Sequence, residues 1–432
     1  MHHETAARLR RTRWVAGAVA LGAVVGVAVV SAGRGDRPTA LAAEAGPTTI
    51  AIGATLPPSV TFGGSPTSTT PAVGGLAEPG VDLGVEPGVD PVADPVRRAR
   101  LAFVGDVLMH SPLVERAADT ARAAGVGGYD FRPMFADVRP LLSSADLAVC
   151  HLETPVAPAG ERLSTAPLYG VPVEVVDGLA WAGFDHCSTA SNHALDRGTA
   201  GIDATLGALD RAGITQTGMA RSAAEATPIV LDVAGIAIAP LSYTYSFNGL
   251  RLPADEPWRS NPIDVWRILS DALVARERGA EVVVVSLHWG TEGRSEPNDD
   301  QVALADTLTA SGLVDLVVGH HAHVVQPIAT VNGRWVAYGL GNIISNLPTS
   351  DMWPAAAQDA MVLTVDVSVD ATGVTVERPV VHPTWVDKRD GWVIRDVFSS
   401  LRDPALPTER RPLFEASLWR TGLVVGEFHA DR

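Results

Sequence analysis

The chain has 432 residues, 46% of them hydrophobic, enough for two or three domains and a large buried core. Its formal net charge of −16 argues against nucleic acid as a partner, because no Lys/Arg field is present to displace counterions from phosphates. Two cysteines are too few for a disulfide framework and cannot by themselves build a thiolate zinc site, which takes about four Cys or His ligands.

The first element is apolar. The basic stretch RLRRTR closes a tail over residues 1–13, and no charged residue follows between Trp14 and Gly33. A run of about 20 apolar residues crosses a hydrocarbon core as a helix, and basic residues before it favour a cytoplasmic N-terminus. The pattern predicts a transmembrane signal-anchor over 14–33. The alternative is a cleaved signal peptide, with Ala40-Leu41-Ala42-Ala43 as a distant cleavage region. Both readings place the remainder outside the cytoplasm, tethered to the cell membrane or secreted. Residues 34–97 are rich in Pro, Gly, Thr and Ala and carry the imperfect repeat EPGVDLGVEPGVDPVADP. Such a composition buries too little apolar surface to offset the ordering entropy, so it reads as a linker.

From Arg98 apolar runs alternate with helical patterns, which predicts α/β architecture. RLAFVGD (100–106), ADLAVCHLE (145–153) and FDHCSTASN (184–192) read as short strands with polar ends. AEVVVVSLHWG (280–290) and VDLVVGHHAH (314–323) read as fully buried strands. IDATLGALDRAG, DVWRILSDALVARERG and DQVALADTLTASG read as helices, each closing near a Gly. RWVAYGLGN, MVLTVDVSVD and GVTVERPVVHP read as strand pairs, with a turn at Asp370-Ala371-Thr372-Gly373. One catalytic domain over 98–390 is expected, followed by a peripheral C-terminal segment over 391–432.

Asp106, Glu153, Asn192, His193, His288, His321 and His323 all fall at the carboxyl ends of predicted strands, the edge where α/β sheets bind ligands. Asp, Glu, Asn and His without sulfur suit Zn, Mn or Fe, and the set is large enough for two divalent ions. A pair of ions about 4 Å apart suits phosphoester hydrolysis. Each element alone has a bland reading: a turn for Gly105-Asp106, a solvated carboxylate for Glu153, a core histidine for His288. Their order along the chain, each after its own strand, is what carries weight.

The ordered motifs GDVLMH, HLETP, SNHALDRG, SLHWGTE, GHHAHVVQP and YGLGN resemble the CapA family, the capsule-synthesis (poly-γ-glutamate) proteins of the calcineurin-like metallophosphoesterase superfamily. The resemblance covers about residues 98–345. It implies a four-layer α/β/β/α sandwich with a dinuclear centre between the sheets. It implies Asp106 and His323 on the first metal, and Asn192, His288 and His321 on the second. Glu153 would bridge, and His193 would be the general acid. It also implies work on an anionic cell-surface polymer, its synthesis or attachment, beside a membrane synthase. Poly-γ-glutamate is joined by amide bonds, so a phosphoesterase-type centre has no evident step in its polymerisation. Asp196, three residues after His193, is expected to orient that imidazole and keep it protonated. His320 is read as a neighbour of the ligands.

Three departures from the superfamily pattern stand out. Val107 and Leu108 follow Asp106 where Asp-x-His is usual, which leaves His110 as a substitute ligand or a nearby polar residue. Glu153 reaches further than Asp. His151 alternates with Glu153 and either faces the site or bonds a backbone carbonyl. Asn342, in YGLGN, is a candidate to position substrate, or part of a tight turn. Arg197 and Arg294 are candidates to receive a polyanion despite the negative net charge. Cys150 and Cys187, on strands expected to be neighbours, have two readings: a disulfide in an extracytoplasmic setting, or buried free thiols, preferred because neighbouring-strand geometry seldom suits a disulfide. The competing functional reading is a non-catalytic, metal-stabilised component of an envelope assembly.

Overall fold

The computed structural model describes residues 96–428. The predicted tail, the anchor and the linker up to residue 95 lie outside the described residues. Among the described residues no helix is long and apolar enough to cross a membrane.

In chain order the first strands are β1 (Arg97–Val107), β2 (Leu147–Leu152), β3 (His186–Ser188), β4 (Thr215–Thr217), β5 (Leu231–Val233), β6 (Ile236–Thr244) and β7 (Val282–His288). There follow β8 (Leu316–His320), β9 (Ile328–Val331), β10 (Arg334–Ala337), β11 (Asp359–Asp370), β12 (Gly373–Val376), β13 (Val380–Asp387) and β14 (Val393–Asp396). The helices are α1 (Ser111–Ala123), α2 (Arg139–Leu142), α3 (Glu174–Ala182), α4 (Gly198–Ala212), α5 (Val265–Glu277), α6 (Asp299–Ala310), α7 (Val397–Arg402) and α8 (Arg411–Val425).

The strands form two sheets. The larger runs β14-β13-β11-β1-β2-β3-β4, with β12 added to β11, and the smaller runs β5-β6-β7-β8-β10-β9. Period-two alternation explains how they stack. In β1, Leu101 and Phe103 join a core shared with Val282, Val284, Leu316 and Val318 of the other sheet. Ala102 and Val104 instead face Leu113 of α1, Leu179 of α3 and Ile202 of α4. The outer face of the smaller sheet, including Val283 and Val285, packs on Ile268 of α5 and Leu308 of α6. Helices, sheet, sheet and helices thus succeed one another, and burying both faces of each central strand accounts for the nearly continuous apolar runs.

Parallel pairing sets the site. β1, β2, β3 and β4 are mutually parallel, as are β6, β7 and β8, so the carboxyl ends within each group emerge on one edge. A register shift between Phe103 and Asp106 marks a β-bulge, a feature that re-aims side chains next to sites. Gly105 sits in it because a Cβ there would lie 2.1 Å from the Gly341 carbonyl oxygen. The contact is a seam between β1 and the segment 340–344, which bonds Gly319 of β8 through Leu340 N–H and bridges Ala360 of β11: Asp106 N–H donates to Gly341 O at 2.9 Å and Leu108 N–H to Ile344 O at 3.0 Å.

One expectation changes. Cys150 and Cys187 are not free thiols: they lie directly opposite in the β2–β3 register, with Cα atoms 4.5 Å apart, and are joined as a disulfide. That separation is inside the range a disulfide spans. The segment after residue 390 contributes β14, which pairs antiparallel with β13 as an edge strand of the larger sheet.

Thiol titration of the denatured chain should therefore find no free thiol until reductant is added, and two afterwards; two at the outset would contradict the pairing. Gly105→Ala should destabilise the fold by about 1–3 kcal/mol or more, because the backbone oxygen it meets cannot move aside. Chemical denaturation checks this.

Candidate metal centre

Asp106 ends β1, Glu153 follows β2, Asn192 and His193 follow β3, His288 ends β7, and His320, His321 and His323 follow one another at the end of β8. The larger sheet contributes the carboxylates, Asn192 and His193, and the smaller sheet His288, His320, His321 and His323. Asp106 and Glu153 are completely buried, and His288, His321 and His323 nearly so. His321 (φ 84°) and His323 (φ 57°) both have left-handed backbone, a conformation that costs about 1 kcal/mol or more for each such residue. It turns both rings out of the strand direction.

The electrostatics are those of a site short of positive charge. Burial works against ionisation of Asp106. His320 Nδ1 at 3.3 Å and His323 Nδ1 at 3.1 Å nevertheless hold its carboxyl well below the usual range. Burial pushes Glu153 up to about 7, and its nearest imidazole nitrogens, on His288 and His323, are 3.8 Å away. Burial pushes His321 down to about 3 and His151 and His288 well below their ordinary value. His323 is the exception: burial opposes its charge, but Glu153 and Asp106 raise it to about 10.

Both Glu153 carboxylate oxygens, Asp106 Oδ1 and His321 Nδ1 are buried without a hydrogen bond. Buried carboxylates in that state are costly unless a cation meets them. The donor set therefore fits a hard or borderline divalent ion. Ligand atoms of Asp106, Glu153 and His323 lie within 4.8 Å of one another, and so do those of Glu153, His288 and His321. Glu153 is common to both groups. Asn192 Oδ1 is 3.0 Å from His288 Nε2, at the edge of the second.

The supporting shell is dense. His151, paired opposite Asp106 in the β1–β2 register, places Nε2 2.9 Å from His288 Nδ1 and Nδ1 2.8 Å from Ser188 Oγ. Both of its nitrogens are thereby engaged, although it also lies close enough to Asp106 and His288 to form a third group. His320 stacks on His151 with ring centroids 3.9 Å apart. Ser191 donates to the Glu153 carbonyl at 2.6 Å and accepts from His193 N–H at 3.1 Å. At the rim, His193 Nδ1 is 2.7 Å from Asp196 Oδ2, which also accepts the Tyr169 N–H at 2.7 Å.

Other sequence-derived candidates have different surroundings. His110 precedes α1, and its Nδ1 accepts the Asn346 N–H at 3.2 Å. Burial lowers it to about 4, and it belongs to none of the groups able to hold an ion among the described residues. Asn342 is fully buried: Oδ1 meets His323 Nδ1 at 2.9 Å while Nδ2 donates to the carbonyls of His323 and Ala357. It fixes the His323 ring. The Arg197 guanidinium is taken up by Tyr169 O, Arg162 O, Ser164 Oγ and Glu161, which ties the 161–170 loop to the start of α4. Arg294 is exposed, and its carbonyl accepts from Gln326 Nε2 at 2.9 Å.

Two neighbours escaped the sequence reading. Exposed Glu292 joins His321 and His323 in a further ligand group; it lies four residues after His288 in SLHWGTE, so that motif held the signal. Tyr245, just past β6, lays its ring 4.5 Å from His321, and nothing in the spacing marked it.

Two sheets flanked by helices, with a buried Asp/Glu/His/Asn cluster at the shared strand edge, define a mixed α/β protein with a candidate site for divalent metal. Residues 100–347 match the model of the family described as bacterial capsule synthesis protein PGA_cap; the chain belongs to this family. The PGA biosynthesis protein CapA of Bacillus subtilis strain 168 is 30% identical over 250 residues, 56% of this chain and 62% of that protein. The probable polyglutamine synthesis accessory protein of Mycobacterium tuberculosis strain H37Rv is 26% identical over 47% of this chain and 57% of its own length. The chain thus spans about three-fifths of the curated relatives it matches. Among solved structures, the calcineurin-like phosphoesterase YfkN from Bacillus subtilis aligns with 76% of this chain and 98% of its own, at 12% identity and a TM-score of 0.39.

If the orphaned carboxylates await a cation, Glu153→Gln should abolish the rise in melting temperature that Mn or Zn gives the wild-type chain, since only ligand binding to the folded state produces that rise. The chelated variant should melt no lower than chelated wild type. An equal metal-induced rise in both would count against Glu153 as a ligand.

Proposed function

We propose that this chain is a membrane-tethered, extracytoplasmic, CapA-like protein of the metallophosphoesterase type. In this reading it is a metal-dependent hydrolase of phosphoesters acting in the synthesis or attachment of an anionic, poly-γ-glutamate-like surface polymer. The observation that carries the reading is the shared position of Glu153, buried with both oxygens free of hydrogen bonds and within reach of two histidine groups. That is the arrangement a bridging ligand of two ions requires. Membership of the capsule-synthesis family supports the polymer context, and the basic, then apolar N-terminal stretch supports the tether and the location. A membrane synthase is the expected partner.

Asp106, Glu153 and His323 would hold one ion, and Glu153, His288, His321 and Asn192 the other. The ions, as Mn, Zn or Fe, would supply Lewis acidity toward a phosphoryl oxygen and acidify water at neutral pH. Were His288 to hold an ion through Nε2, its Nδ1 would donate to His151 Nε2 and His151 Nδ1 to Ser188 Oγ, a relay that would fix both tautomers. His193 Nε2 delivers the proton to the departing oxygen while Asp196 holds Nδ1 and steadies the imidazolium. Asn342 keeps the His323 ring from rotating. Burial of the cluster excludes bulk water from the interior side.

A second reading, a metal-stabilised assembly component without turnover, is favoured by one observation: His110 accepts a backbone N–H and stands outside the ligand groups. Elemental analysis of the full chain after reconstitution should find about two ions. His193→Ala should keep them and lose about 10²–10⁴ in rate on bis(p-nitrophenyl) phosphate. Full metal loading with no hydrolysis of any phosphoester by wild type would favour the assembly role.

A further inference from the structure

Beside the centre, and outside its ligand groups, lies a groove of about 450 Å³ between the N-terminal ends of α5 and α6. Ile263, Val265, Trp289 and Leu304 line it, with Tyr245 on the side toward the centre. The Tyr245 ring, about half exposed, belongs to both places, since its centroid is 4.5 Å from that of His321. A group leaving the centre past His321 therefore enters the groove along this ring.

The lining is chemically one-sided. Asp300 is its single ionisable side chain besides the Tyr245 phenol, and no Lys or Arg lines it. Its amides are already engaged. Asn298 and Gln301 form a reciprocal capping box on α6, Gln301 Nε2 donates to Gln326 Oε1 at 2.8 Å, and Asn298 Nδ2 donates to Thr291 Oγ1 at 3.2 Å. The α6 N-terminus is thus capped by its own side chains and carries acidic Asp299 and Asp300 in its first turn, which repel an anion. An occupant finds apolar surface, few free donors and a carboxylate at the rim.

We infer that this groove is the subsite for the ester substituent of the substrate, and that it takes an uncharged apolar chain rather than a run of glutamates. The inference rests on the phosphoesterase reading of the neighbouring centre and names its substrate class: an amphipathic phosphoester, anionic only at phosphorus. A polyglutamate chain would meet Asp300 without a cation to pair with, and its carboxylates would lose hydration against Ile263, Val265 and Leu304.

The test is calorimetric binding of methyl-, butyl- and hexylphosphonate to the full chain, loaded with Mn and, separately, chelated. Affinity for the loaded chain should rise about fourfold for each added methylene that is buried, and Leu304→Glu should flatten the series. Methylphosphonate binding that needs metal, with no dependence on chain length, would overturn the groove and leave the centre standing. No binding at any length to the loaded chain would overturn both readings. A length dependence untouched by Leu304→Glu would place the chains elsewhere and also overturn the inference. So would displacement of hexylphosphonate by a γ-linked glutamate hexamer.

Discussion

Two carboxylates, Asp106 and Glu153, are removed from water at a point where imidazoles approach them from the opposite sheet. Everything around them serves to hold that arrangement. Burying an anion of this kind costs several kcal/mol unless charge or hydrogen bonds answer it; His320 and His323 approach Asp106 closely, whereas the nearest imidazole nitrogens stand 3.8 Å from Glu153. The fold tolerates the remaining deficit because three apolar cores, between the sheets and on either side of them, supply far more burial than one polar seam removes. The deficit is also what gives the cluster its capacity for cations.

The placement of Asp106 is a backbone matter. Gly105 lets β1 run against Gly341 at a distance no side chain permits, and the bulge at that point turns Asp106 toward the β8 end. At that end, left-handed His321 and His323 present two rings from a short turn. His151, Ser188 and Asn342 then fix ring orientations. A ligand set assembled from residues over 200 positions apart thus depends on a few local distortions, each beside a functional side chain.

Much of the frame was legible in the sequence. Long apolar runs announce β7 and β8, Gly-closed amphipathic stretches announce α4, α5 and α6, and the Asp370–Gly373 turn joins β11 to β12. β6 was not legible, because Pro240 sits in its middle. Antiparallel pairing with β5 ends at Ile238, whereas Pro240 still pairs opposite Val284 of β7, so the missing N–H falls past the end of β5. Side-chain reach was the other blind spot. Spacing places Arg197 and Asn342 near the strand edge but does not say that their polar atoms are already taken up by Tyr169, Ser164, His323 and Ala357. The opposition of Cys150 and Cys187 depends on register, which strand propensity alone does not reveal.

The seam at Asp106 has a mechanical side. Asp106 and Glu153 belong to one sheet and His288, His321 and His323 to the other, so an occupant would bind the two sheets to each other as a clasp binds two covers. Separating the sheets is a step that unfolding must take, and contacts broken in such a step slow the escape from the native state more than they speed its formation. Occupancy would then be registered less in the shape of the protein than in its lifetime.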